Sequence, residues 1–247
     1  IFNQYPRLHW GHTGYAAMPA WLEIGGVANL EQPQSWLKVG DVKVDTTGFL
    51  GTAYDASAMG YGVVNMAFPG WMTLPSTPFD LHNGRGWHIL MMWLFVINMG
   101  VYFLLGIACG RFKRTLLPSV DQLHPRAIAH ELWMHLRLKH HKGLAALRYN
   151  LLQKLSYIVV LFGLLPAMVL SGMTMSHSAV AAFPWLIDLF GGRQSARTLH
   201  FLLANALVLF VLVHLFQVAV SGFRNQVRSI ITGYFSIPQR EEKGDKK

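Results

Sequence analysis

The chain has 247 residues, of which 52% are hydrophobic and 13% charged, and its mean hydropathy is +0.31. A soluble globular domain carries about a quarter charged residues, so the composition excludes one and points to a membrane protein. Lys and Arg number 21 against 12 Asp and Glu, a net charge of +9, yet these residues flank apolar runs, which fits orientation in a lipid membrane and no nucleic-acid partner. The single cysteine, Cys109, excludes an internal disulfide and any all-cysteine iron–sulfur or zinc site.

Residues 1–80 contain no apolar run long enough to span a bilayer, and they read as one segment outside the membrane. Trp10, Trp21, Trp36 and Trp71 are interspersed with prolines, glycines and polar residues. Lys38 to Asp45 alternates as a short hairpin does, and Pro19 to Leu22 has the make-up of a helix start. Two readings stand side by side for this segment. Its tryptophans suit headgroup depth, as in an interfacial loop, and its length suits a docking surface for a partner subunit.

Residues 81–235 read as the membrane domain, with spans at about 87–109, 151–172 and 198–222, followed by a polar tail over 236–247. Pro166 predicts a kink in the second span. Ala179 to Phe190 forms an amphipathic stretch in the return loop. The 110–150 loop holds 8 Lys/Arg and the segment after the last span 6, whereas residues 1–86 hold 4 against 6 acids. The positive-inside rule therefore puts the basic loop and C-terminus in the cytoplasm and residues 1–86 outside. Three spans leave the N-terminus outside with nothing to carry it there. The expectation is an all-α integral membrane four-helix bundle whose first span is truncated before Ile1.

The third span carries His200 and His214. Fourteen residues of helix separate them by about 21 Å along the axis and roughly 40° around it, so both imidazoles lie near one face. Ionisable residues inside a span are functional candidates, and neutral imidazole is a common ligand of haem iron. His88, at the start of the first span, falls at the depth of His200. Imidazoles from facing helices at equal depth suit both axial positions of one haem, which makes His88 with His200 the first pair. His214 then belongs to a second haem. Tyr102, fourteen residues after His88, is not a usual ligand, so the fourth ligand is expected upstream of Ile1. His82 is the rival to His88, six residues earlier and expected beyond the helix start. Arg85 and Arg197 each precede a histidine of the pair by three residues, on the same face and one turn nearer water. They suit haem propionates, and equally suit anchoring of helix ends.

These residues resemble the dihaem cytochrome b subunits of bacterial respiratory enzymes. That group includes bacterial cytochrome b561, the b-type subunits of nickel–iron hydrogenases and formate dehydrogenase, and thiosulfate reductase cytochrome b subunits. The likeness rests on Arg85-Gly-Trp-His88, Trp93 to Asn98, Arg197-Thr-Leu-His200 and Val213-His214, with Asn3 to Gly11 resembling a segment after the family's first span. It implies two b-type haems in the bacterial inner membrane. It also implies electron transfer between a quinone and a periplasmic redox subunit of the hydrogenase, formate dehydrogenase or molybdenum-enzyme type. A quinone pocket is expected near His214, where Asn150, Gln153, Lys154 and Tyr157 are the polar residues within reach. The chain would be an electron-transfer subunit rather than a stand-alone enzyme. The alternatives are a self-sufficient b561-type quinol oxidoreductase and, in a different class, a haem-free transporter or assembly scaffold.

Overall fold

The computed structural model describes residues 7–12, 19–55, 57–60, 62–68, 81–137 and 150–234; Asn3, Trp71, the 138–149 part of the basic loop and the tail over 236–247 lie outside the described residues. Two compact units divide the chain, one made of Ile1–Tyr102 with Val169–Phe201 and the other of Phe103–Met168 with Leu202–Lys247.

The N-terminal part of the first unit is built from antiparallel strands. Strands β1 (Arg7–Leu8), β2 (Leu22–Val27), β3 (Gln34–Val39) and β4 (Val42–Asp45) form one sheet in the order β1-β2-β3-β4. Strands β5 (Thr52–Asp55) and β6 (Val63–Met66) pair separately. The hairpin expected over Lys38 to Asp45 is β3–β4, with Val39 opposite Val42 and Gly40 turning the chain at φ 58°. The helix start expected at Pro19 to Leu22 is absent. Leu22 instead opens β2, opposite Leu8 on one side and Val39 on the other. Local composition suggested a helix, but pairing on both edges satisfies the backbone in extended form. Ile24, Ala67 and Phe68 make the small core of this part, with Leu37, Leu50 and Phe201 packed on it. Gly51 holds φ +70°, and a Cβ there would lie 2.7 Å from the Gly25 carbonyl oxygen, so only glycine fits this crossing.

Helix α1 (Leu81–Ala108) starts well before Trp87, so His82 lies inside it rather than beyond its start. The Asn83-Gly84-Arg85-Gly86 run reads locally as a breaker. Once a long helix exists, each added residue costs little and gains a backbone bond, so the run is drawn in. Gly110, at φ 61°, ends the helix. Short helix α2 (Arg111–Thr115), a 3₁₀ turn (Val120–Leu123) and α3 (Pro125–Leu136) follow.

The second span consists of α4 (Leu151–Ile158), a π-helical turn (Val159–Leu164) and α5 (Leu165–Met175). Pro166 has no N–H for the Phe162 carbonyl and its ring crowds that turn. The helix answers by widening just before it: the Leu165 N–H reaches back five residues to the Val160 carbonyl. The expected amphipathic stretch is two short helices, α6 (His177–Ala182) and α7 (Trp185–Leu189), broken at Phe183-Pro184. Helix α8 (Arg193–Val220) begins before the expected residue 198 and takes in both Arg193 and Arg197. Gly222, at φ 105°, separates it from α9 (Phe223–Thr232).

Among the described residues three helices are long and apolar enough to cross a membrane: His82–Ala108, Leu151–Met175 and Arg193–Val220. In the most apolar window of the last, 0% of residues are buried within the protein. Leu209, Leu212, Val213, Leu215 and Phe216 all stand exposed, as do Trp93, Leu94, Ile97 and Leu104 on α1. Helices apolar on all sides and uncovered by protein need lipid as their solvent, so the chain is a multi-pass membrane protein with an all-α membrane part.

Candidate functional site

In the first unit the N-terminal segment is fastened to the start of α8. The first N–H groups of any helix lack partners inside it, and Gly191-Gly192 offers no side chain to cap them. The Gly11 carbonyl does so instead, accepting from the N–H groups of Gln194 (3.1 Å) and Ser195 (3.2 Å). In return Gly11 N–H donates to Ser195 Oγ at 2.7 Å, and Thr198 Oγ1 donates to the His9 carbonyl at 2.7 Å. Ser195 and Thr198 are both buried. Gly192, at φ +118°, lies against the Gly11 backbone where a side chain would collide. The start of the His200 helix is thereby held by chain nearly two hundred residues earlier in the sequence (|i−j| of 189 for the His9–Thr198 bond).

One turn further along α8, His200 meets His88 of α1. Their ring centroids are 6.1 Å apart with planes at 74°. Two imidazoles sharing one metal ion place their nitrogens about 2 Å to either side of it, which with the ring radii sets the centroids about 6 Å apart. The observed separation matches. His82 is exposed and, six residues earlier on α1, points about 120° away around the helix. His88 is therefore the histidine of α1 that reaches His200. Ser171 Oγ, fully buried, lies 3.1 Å from His200 Nδ1. Gly172 borders the same ring edge: a Cβ there would stand 3.2 Å from His200 Cε1 and 3.6 Å from Nδ1. Arg85 and Arg197 are exposed on the turns preceding the two histidines, and Arg193, a turn further out, donates to His177 Nε2 at 3.0 Å.

In the second unit, His214 stacks on Phe210 (5.9 Å, 18°) and meets Tyr157 edge-on at 6.3 Å. Of the four polar residues expected near it, Tyr157 is thus placed beside the imidazole. Asn150 and Gln153 form the capping box of α4. Asn150 Oδ1 accepts from Gln153 N–H at 2.8 Å, and Gln153 Oε1 accepts from Asn150 N–H at 3.2 Å. Lys154 Nζ donates to Gln122 Oε1 at 3.3 Å, tying α4 to the 3₁₀ turn.

Among the described residues no three of His, Cys, Asp and Glu converge on a metal position. A haem does not ask for three, because the porphyrin supplies the in-plane donors and the protein only the axial ones. His88 and His200 are two imidazoles, from two helices, that meet at a separation compatible with that requirement. The sequence reading missed Ser171, Gly172 and Thr198, which carry no signal of their own, since a serine, threonine or glycine in an apolar helix is ordinary; Gly11 entered it only as the end of the Asn3 to Gly11 segment.

A family model described as prokaryotic cytochrome b561 matches residues 50–233. A curated relative from Azospira oryzae, named "Putative protein-methionine-sulfoxide reductase subunit YedZ1", is 33% identical over 172 residues, covering 64% of this chain and 82% of that protein. No solved structure matches the chain. The match spans the strand pair, all three apolar helices and every histidine of the two clusters. The chain belongs to the prokaryotic cytochrome b561 family and is a membrane subunit of the b-type cytochrome, electron-transfer kind.

Proposed function

We propose that this chain carries electrons through two haems between the quinone pool and a separate redox subunit outside the bacterial inner membrane. The observation that carries this is the meeting of His88 and His200 at a separation suited to one shared iron. These two would hold the first haem, and Arg85 and Arg197 would pair with its carboxylates. His214 would ligate the second. Haem, when bound, supplies reversible one-electron chemistry that no side chain here provides. The protein's own part would be to hold the imidazoles in register and to keep the pair within an apolar helical setting, with Arg85 and Arg197 available to pair with the group's carboxylates. Tyr157 and Lys154 are the candidates for exchanging protons with a quinone beside His214, where reduction takes up protons as well as electrons. Asn150 and Gln153 would shape that pocket through the cap they build on α4.

The basic 110–150 loop and C-terminal segment support a cytoplasmic placement of both, with residues 1–86 on the opposite side. The relative's name, which makes it a subunit of a protein-methionine-sulfoxide reductase, favours a separate oxidoreductase partner over the self-sufficient reading. That partner is to be sought among hydrogenase, formate dehydrogenase and molybdenum-enzyme types. The test is a reduced-minus-oxidised spectrum of the full-length protein in mild detergent. His88→Ala and His200→Ala are each expected to remove the same haem, and His214→Ala a different one. A full-length wild type with no b-type α-band, or a His88→Ala variant with unchanged haem content, would overturn the assignment. Co-purification of a soluble oxidoreductase separates the two redox readings.

A further inference from the structure

The second span has two fully buried hydroxyl residues on consecutive turns, Ser171 and Thr174. Thr174 does what a hydroxyl in an apolar helix ordinarily does, donating to the carbonyl one turn back, that of Leu170, at 2.9 Å. Ser171 Oγ reaches another helix as well, lying 3.1 Å from Nδ1 of His200, 29 residues later in the chain. Beside it Gly172 presents no side chain, so the His200 ring edge bearing Cε1 and Nδ1 lies directly against α5.

An imidazole has two nitrogens, and in the neutral ring one is a donor and the other an acceptor. We infer that Ser171 is a positioning residue for His200, its hydroxyl oxygen accepting a hydrogen bond from Nδ1–H so that Nε2 is left as the metal-ligating nitrogen. This rests on the reading of His200 as a haem ligand. The opposite direction, with the serine donating to Nδ1, would leave the proton on Nε2 and remove the lone pair that a ligand needs. A serine hydroxyl can accept here and still donate elsewhere, so the arrangement asks nothing unusual of Ser171. Two consequences follow. The bond fixes which tautomer and ring orientation His200 adopts. It also draws the Nδ1 proton outward and makes the ring a stronger electron donor, which favours ferric over ferrous iron.

The experiment is a spectroelectrochemical titration of the full-length protein, wild type against Ser171→Ala and Ser171→Thr, following the haem that His200→Ala abolishes. Ser171→Ala is expected to retain that haem with a more positive midpoint; a tenfold weaker preference for the ferric state would read as about 59 mV in a one-electron couple. Ser171→Thr, which keeps the hydroxyl, should restore the wild-type midpoint. If Ser171→Ala inserts in the membrane but loses the haem while Ser171→Thr keeps it with the wild-type midpoint, the assignment also stands. An unchanged midpoint and an unchanged low-spin electron paramagnetic resonance spectrum in Ser171→Ala would overturn it, leaving Ser171 as packing. So would a Ser171→Thr variant that behaves as Ser171→Ala does, or loss of the haem from both. A wild type without haem, or a His200→Ala variant that keeps its full content, sinks the ligand reading itself. The two failures are therefore told apart.

Discussion

Gly172→Val is the sharpest probe of how closely α5 and α8 approach. A single Cβ at this position would lie 3.2 Å from His200 Cε1 and 3.6 Å from Nδ1. Carbon atoms settle at about 3.5–4.0 Å, so even alanine asks the ring to yield by a few tenths of an ångström. For alanine that strain is set against a gain of about 1 kcal/mol in helix propensity, and the two effects nearly offset. Valine adds two further methyl groups on the same side with little rotamer freedom to avoid the ring. Overpacking of this kind costs about 1–3 kcal/mol, and if the strain is relieved by displacing His200, its hold on an axial group weakens roughly 5- to 150-fold. The assay is haem per polypeptide in purified protein, read by pyridine haemochrome, together with carbon monoxide binding, which reports an iron that has lost an axial ligand. If His88 and His200 hold a haem as proposed, Gly172→Val is expected to lower its content and to admit carbon monoxide, with Gly172→Ala near wild type. Wild-type stoichiometry and spectrum in Gly172→Val would refute the claim that this glycine makes room for the imidazole.

Two further outcomes are expected in the N-terminal segment. Thr198→Val keeps the side chain's shape but leaves the His9 carbonyl without its donor, at a cost of about 1–3 kcal/mol; amide exchange around Trp10 and Gly11 should accelerate, and unchanged exchange would show that the clamp contributes nothing. In the β4–β5 turn, hydrogen bonds from the Thr47 hydroxyl and the Thr47 N–H hold the Asp45 carboxyl below its usual range. A depressed acid stabilises the fold above its unfolded value and loses that contribution as pH falls through the folded one. Slowed exchange at the Thr47 amide should therefore persist from neutral pH into the ordinary carboxylate range and fail only below it, and a loss above about pH 4.5 would contradict the bond.

Much of this protein is legible in one dimension because lipid is a uniform solvent. Whether α1, the second span and α8 enter it depends on length and apolarity alone, and His200 and His214 share a face of α8 by helical period alone. The hairpin at Gly40 is equally local, since the alternation and the turn residue sit within eight positions. The expected end points fail where cooperativity or distant partners override composition: α1 extends back through two glycines to Leu81, and Leu22 pairs on both edges as a strand. Asn150 and Gln153, polar residues near His214 in the sequence reading, use their side chains to cap α4, a role their Asn-x-x-Gln spacing carries but their position near a histidine obscured.

What the tertiary structure alone decided is the company His200 keeps. Sequence order makes His200 a ligand candidate and offers both His82 and His88 as its counterpart. Only the packing of α1 brings His88 to within 6.1 Å, only that of α5 sets Ser171 against Nδ1, and only the return of residues 9–11 caps the helix that carries the ring. The physical reason is common to all three. A hydrogen bond or a ring contact is specified to within a few tenths of an ångström between residues from 29 to 189 positions apart, and no local pattern in the chain encodes such a distance.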